Sequence, residues 1–156
     1  QPVACNPTPT PDPSKTYLAA LEPETVNVGY WSLGIGYYPA SDTGMNEGEV
    51  ISNHGQVFAQ GLFTHAPSEL TYTLNGNYLH FDSIISIKET ACGDGAQFVV
   101  RLDGNEIFRS DWMTAASPLF PVSLNVTGGK VLTLITLSGN DNTCDWTIWG
   151  DPVLSK

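Results

Sequence analysis

The residues of this chain best suited to chemistry are neutral amides, carboxylates, one histidine and indoles. They are His65, Glu89, Asp94, Trp112, Asn140, Asp141, Asn142, Asp145 and Trp146. A sugar needs polar groups that pair with adjacent hydroxyls and an aromatic face for its C–H surface. His65, Glu89, Trp112, Asn142, Asp145 and Trp146 supply both, and they are the candidate sugar-binding residues. Each also has a local reading. His65 suits a hydrogen bond to a loop carbonyl, Asp and Asn cap turns, and a tryptophan that heads a strand suits core packing.

The carboxylates open two further chemistries. Glycoside hydrolysis uses two carboxylates flanking the scissile bond. Glu89, Asp94 and Asp145 offer such pairs, but with 16 Asp and Glu in the chain a coincidental pair is expected. No G-x-S-x-G elbow, H-E-x-x-H helix or Cys-His signature is present, so the expectation is a protein without catalysis. Calcium takes hard oxygen ligands. The loop Ser41-Asp42-Thr43-Gly44-Met45-Asn46-Glu47 is rich in them, and Asp151 is a second candidate. Asp42 equally suits an Asx-turn.

Such residues must be positioned by strands, because no helical period is found. Tyr17–Leu21 reads as one short helical turn. In Glu69–Leu74, Leu70, Tyr72 and Leu74 alternate with Thr71 and Thr73. Phe81–Lys88, Phe98–Leu102, Glu106–Arg109 and Val122–Val126 repeat the pattern, and Val131–Leu137 is apolar on both faces, as in a central strand. Trp146–Trp149 and Val153-Leu154 end the series. Asn75-Gly76 reads as a hairpin turn, with further turns at Asp103-Gly104 and Gly128-Gly129. The expected fold is all-β, an antiparallel β-sandwich of jelly-roll type.

Strand direction can be counted along this series. If His65 marks one end of the sandwich, Glu89 to Gly95, Asp111 to Met113 and Gly139 to Trp146 return to that end. The glycine turns collect at the other. The count gathers the candidate residues, together with Cys92 and Cys144, in one set of loops. A Cys92–Cys144 disulfide would tie two of these loops together, leaving Cys5 as the odd cysteine.

Residues 1–14, QPVACNPTPTPDPS, form a Pro/Thr-rich arm or linker, and 15–156 form the module. The formal net charge is -10 with no basic cluster, which excludes a nucleic-acid footprint and disfavours anionic membranes. No run is long enough to insert in a bilayer. The Gln1 start suggests removal of a signal, and Asn125-Val126-Thr127 is a glycosylation acceptor. Together these point to a secreted, extracellular glycoprotein.

The stretch Gly61-Leu62-Phe63-Thr64-His65-Ala66-Pro67-Ser68 resembles the G-x-x-x-H-A-x-S signature of the NPCBM family, family 51 of carbohydrate-binding modules. Phe98-Val99-Val100-Arg101-Leu102-Asp103-Gly104, Val131-Leu132-Thr133-Leu134 and Asp145-Trp146 are similar to later landmarks in the family's order. The resemblance spans about residues 17–154. It implies a β-sandwich, recognition of a galactose-type glycan and a structural calcium. His65 and Asp145 match signature positions, while Glu89 falls where the family has an aspartate. Two functions compete. One is a lectin-like module that binds a glycan. The other is a structural subunit of an extracellular filament or coat that self-associates through the N-terminal arm and Cys5.

Overall fold

The computed structural model describes residues 12–44 and 46–156. The Pro/Thr-rich stretch 1–11, with Cys5, lies outside the described residues. Thirteen strands form along the described chain. They are β1 (Lys15–Tyr17), β2 (Thr25–Asn27), β3 (Gly34–Ile35), β4 (Ser52–Asn53), β5 (Gln56–Val57), β6 (Leu62–His65) and β7 (Ser68–Thr73). They continue with β8 (His80–Ile87), β9 (Ala96–Leu102), β10 (Asn105–Arg109), β11 (Phe120–Asn125), β12 (Val131–Ser138) and β13 (Trp146–Ser155). One 3₁₀ turn, Leu18–Ala20, stands where a short helical turn was expected.

Two sheets face each other. One runs β11-β8-β13-β6-β3, with β1 added beside the end of β13; the other runs β10-β9-β12-β7-β2. A small hairpin, β4–β5, stands apart. All ladders are antiparallel. β6 pairs with β13, β7 with β12, β8 with β11 and β9 with β10. This nested pairing is a long two-stranded ribbon wound into two layers, the jelly roll. Every connection in such a ribbon reverses direction, so the strand count along the sequence holds although neighbouring strands change sheets.

The period-2 pattern fills the space between the layers. Leu70, Tyr72 and Leu74 are buried from one sheet, and Phe81, Ile85 and Ile87 from the other. Trp149 meets Phe98 edge-on across the core, with centroids 5.0 Å apart. β12 is central and buried over most of its length, as its apolar run requires. The Asn75-Gly76 expectation is corrected in one respect. The turn itself forms, with positive φ at both residues and Asn77 N donating to Leu74 O (3.1 Å). However, it joins β7 to β8, which lie in opposite sheets, so it is not a hairpin. The turn residues dictate local φ; the strands choose partners by which face they must bury. Asp103-Gly104, with φ of 51° and 83°, does close a hairpin between β9 and β10.

A buried relay of hydroxyls stiffens the end of the sandwich nearest the candidate residues. Ser68 Oγ donates to Thr64 Oγ1 (3.0 Å) and contacts Thr136 Oγ1. Thr64 Oγ1 meets Thr147 Oγ1 (2.7 Å), and Thr147 Oγ1 donates to Thr64 O (2.6 Å). The relay joins β6, β7, β12 and β13, so both sheets are cross-linked by satisfied polar groups.

Candidate functional site

Residues 66–67, 88–95, 110–119 and 139–145 connect strands at this end, and residues 28–33, 36–44 and 46–50 flank it. Between them lies a groove of about 250 Å³. Its aromatic lining is Tyr30, Trp31 and Trp146, and its polar lining includes Asp42, His65 and Asn142. Thr43, Thr143 and Cys144 complete it.

His65 ends β6 and is buried. Its Nδ1 lies 2.8 Å from Ala66 O. A carbonyl can only accept, so Nδ1 carries the proton and Nε2 is left as an acceptor. Burial pushes the imidazole pKa below its ordinary value, which the bond to Ala66 partly opposes. The ring sits between Tyr30, at 5.2 Å, and Trp31, edge-on at 5.3 Å.

Trp31 is fixed from several sides. Its Nε1 donates to Asp42 Oδ1 (2.9 Å), and its ring lies 6.2 Å from Trp146 and stacks at 6.3 Å on Phe63. Its backbone has a φ of 61°, a left-handed conformation that a bulky side chain rarely adopts. Gly29 brings this segment in. Gly29 N donates to His65 O (2.9 Å), and a Cβ there would fall 2.6 Å from Ala66 O. Only glycine lets the chain cross so close to the end of β6.

The opposite wall is the loop 139–145. Thr143 N donates to Asp141 Oδ1 (2.9 Å), Asp145 N to Asn142 O (3.3 Å) and Trp146 N to Cys144 O (2.8 Å). Cys144, at a φ of 54°, is disulfide-bonded to Cys92, so the loop is covalently tied to residues 88–95.

The expected site residues therefore divide. His65, Asn142 and Trp146 share the groove. Asp145 does not line it: the side chain is fully buried beneath, with no hydrogen-bond partner on either oxygen. Burial, then the neighbouring Asp94 and Asp141, push its carboxyl up to about 7. Glu89 stands on another flank. Its N donates to Asn53 Oδ1 (2.8 Å), and its carboxylate lies 3.4 Å from His54 Nδ1. Trp112 borders a separate hollow with Phe108, Asp111 and Phe120, its Nε1 donating to Asp94 O (2.7 Å). Tyr30 and Trp31 were missed, because they belong to no motif and reach the site only through the Gly29 crossing.

The two calcium candidates, Asp42 and Asp151, stand at different hollows. Asp42 lines the groove and accepts from Trp31. Asp151 lies in β13 beside a different hollow, with Asp82 and Pro121, and its Oδ1 accepts from Gln60 N (2.8 Å). The two do not meet. Among the described residues no three His, Cys, Asp or Glu side chains form a cage by themselves.

An antiparallel jelly roll with an aromatic and amide-lined groove in the loops at one end defines a small-ligand binding module. Residues 14–155 match the NPCBM/NEW2 domain, and the chain belongs to that family. Its structure is similar to the family 51 module of Clostridium perfringens GH95 in complex with methyl-galactose. The TM-score is 0.77 at 23% identity, covering 90% of this chain and 99% of that one. It is also similar to the tandem family 51 modules of Sp3GH98, a family 98 glycoside hydrolase from Streptococcus pneumoniae SP3-BS71. There the TM-score is 0.81 at 19% identity, covering 91% of this chain and 47% of that one. A protein of Renibacterium salmoninarum named "Putative endo-alpha-N-acetylgalactosaminidase" is 26% identical over 107 residues, 67% of this chain. The chain spans 7% of that relative's length.

Proposed function

We propose that this module binds a neutral, galactose-type glycan in the groove of Tyr30, Trp31, His65, Asn142 and Trp146, and that it does so outside the cell without catalysis. The observation that carries the reading is the groove's composition. Three aromatic rings offer faces for sugar C–H groups, and His65 Nε2, Asp42 and the Asn142 amide offer complementary hydrogen bonds. Among the described residues no Lys or Arg lines the groove, so none of them offers an anionic sugar a counter-charge. The complex of the Clostridium perfringens relative with methyl-galactose supports the sugar class.

Hydrolysis would need two carboxylates facing the ligand. In this groove Asp42 is the one carboxylate among the described residues, and one of its oxygens, Oδ1, accepts from Trp31. The Cys92–Cys144 bond suits an oxidising, extracellular compartment.

The test is a glycan array followed by calorimetry with methyl galactoside. Trp31→Ala and His65→Ala are each expected to weaken binding by about tenfold or more, roughly 1.4 kcal/mol or more. An array on which the wild-type protein binds no neutral glycan would sink the proposal.

A further inference from the structure

A second aromatic hollow lies where the edges of the two sheets meet. β10 and β11 are edge strands, one in each sheet. Phe108 on β10 and Phe120 on β11 bridge them, with ring centroids 6.2 Å apart. Together with Trp112 and Pro118 they line a hollow of about 350 Å³, separate from the groove. The loop 139–145 serves both places: Asn142 lines the groove, while Gly139 backs the indole of Trp112.

Trp112 is exposed and yet fixed. It keeps 43% of its surface in water, and Phe120 keeps 48%. The indole Nε1 donates to Asp94 O (2.7 Å). Two glycines make room for the ring's edge: a Cβ on Gly139 would fall 2.9 Å from Trp112 Cζ2, and one on Gly95 would fall 3.0 Å from Nε1. Next along the chain, Met113 N donates to Ala96 O and Ala96 N to Met113 O, each at 2.9 Å. The indole thus has little rotamer freedom left to lose when a ligand covers it. Two exposed rings held in a concave surface are the apolar half of a small-ligand site.

The polar half selects a neutral ligand. Arg109 is the cation of the lining, and its guanidinium is engaged: Nε and Nη2 donate to Glu106 Oε1 (3.1 and 2.7 Å) and Nη1 to Gln97 Oε1 (2.8 Å). Asp111 lines the hollow and is exposed, so its carboxylate accepts from hydroxyls and repels anions. A peptide strand added to β10 would meet the exposed Glu106–Arg109 pair, which discourages that mode of docking.

We infer that Trp112, Phe120 and Asp111 form a second carbohydrate subsite, which takes a neutral pyranose against the indole face. The inference rests on the reading that this module binds neutral glycans, and it adds a place for a second sugar. Two weak sites on one module hold a branched or densely displayed glycan by avidity.

The experiment is an NMR titration that follows the indole N–H signals of Trp31 and Trp112, assigned with Trp31→Phe and Trp112→Phe. Methyl galactoside, methyl glucoside and N-acetylglucosamine are the probes. The Trp112 signal is expected to move with at least one of them, half-saturating at roughly 1–10 mM as suits a shallow site. In Trp31→Ala, or in His65→Ala if the former does not fold, the movement should persist with the same midpoint. In Phe120→Ala the midpoint should rise about fivefold or more, from loss of one ring, while the Trp31 response is unchanged. A Trp112 signal that no probe moves overturns the subsite and leaves the groove reading standing. A movement that vanishes in both groove variants overturns it too, because it is then relayed through the loop 139–145. An unchanged midpoint in Phe120→Ala overturns it, as does a Trp112 signal that moves only with protein concentration, which would assign the hollow to a second copy of the chain. If the Trp31 signal alone stays still, the groove reading fails and the subsite stands.

Discussion

His65 combines a fixed tautomer with a depressed pKa, and the two together set how the groove answers to pH. In the window between the folded pKa and the ordinary value near 6.5, the unfolded chain binds the extra proton and the folded one does not. The contribution of His65 to stability is therefore complete above about pH 6.5 and is lost as pH falls through the folded pKa. Protonation also removes the Nε2 acceptor. Glycan affinity should stay flat from pH 8 to about 6.5 and decline at lower pH. Calorimetry across that range, beside the non-titrating His65→Gln, checks this; a decline already under way at pH 7.5 would contradict it. At this scale the sequence was partly legible. His65, Asn142 and Trp146 reach the groove because each lies next to a strand end whose position the pattern reveals. Asp145 reads as a ligand from its place before Trp146, but nothing in a sequence tells a loop aspartate at the surface from one packed under it. Tyr30 and Trp31 carry no pattern at all, since their entry depends on a close approach between Gly29 and Ala66, far apart in the chain.

The elements that matter most are the loops that join the sheets, and the disulfide is their strongest restraint. It closes a separation of 52 residues. Replacing Cys92 and Cys144 with Ala should cost about 4 kcal/mol by the chain-entropy treatment, seen as a lower midpoint in denaturant. The same variant should weaken glycan binding, because Asn142, Thr143 and Cys144 form one wall of the groove. Unchanged affinity would mean that the wall is held by the hydroxyl relay and backbone bonds alone. The long strands were legible from alternation, as in Leu70, Tyr72 and Leu74 or Phe98 and Val100, because each must bury one face. The two-residue strands β3, β4 and β5 were not, since two residues contain no period. The Asn75-Gly76 turn shows the same limit from the other side. Its φ values follow from the residues, whereas its role as a bridge between sheets follows from the ribbon being wound.

At the scale of the whole molecule, the sandwich separates its two ends by chemistry. The groove lies at one end, and the glycine turns and the sequon at the other. Asn125 is exposed and its Oδ1 accepts from Thr127 N (2.9 Å), which leaves the side-chain amide nitrogen outward. Expression in a glycosylating secretory host should add a glycan there, removable by an amidase and absent in Asn125→Gln, with galactoside affinity unchanged. A glycan at Asn125 that abolished binding would place the sugar site elsewhere. The first and last strands meet at this same far end. Lys15 pairs with Ser155, and Lys156 N donates to Ser14 O (2.8 Å). Ser14 and Lys156 thus lie side by side, at the end of the sandwich away from the groove. The fold behaves as a cassette on a double stalk. It could be spliced into a surface turn of an unrelated host, which would have to bridge only the narrow gap between neighbouring strands, and its recognition face would still point outward.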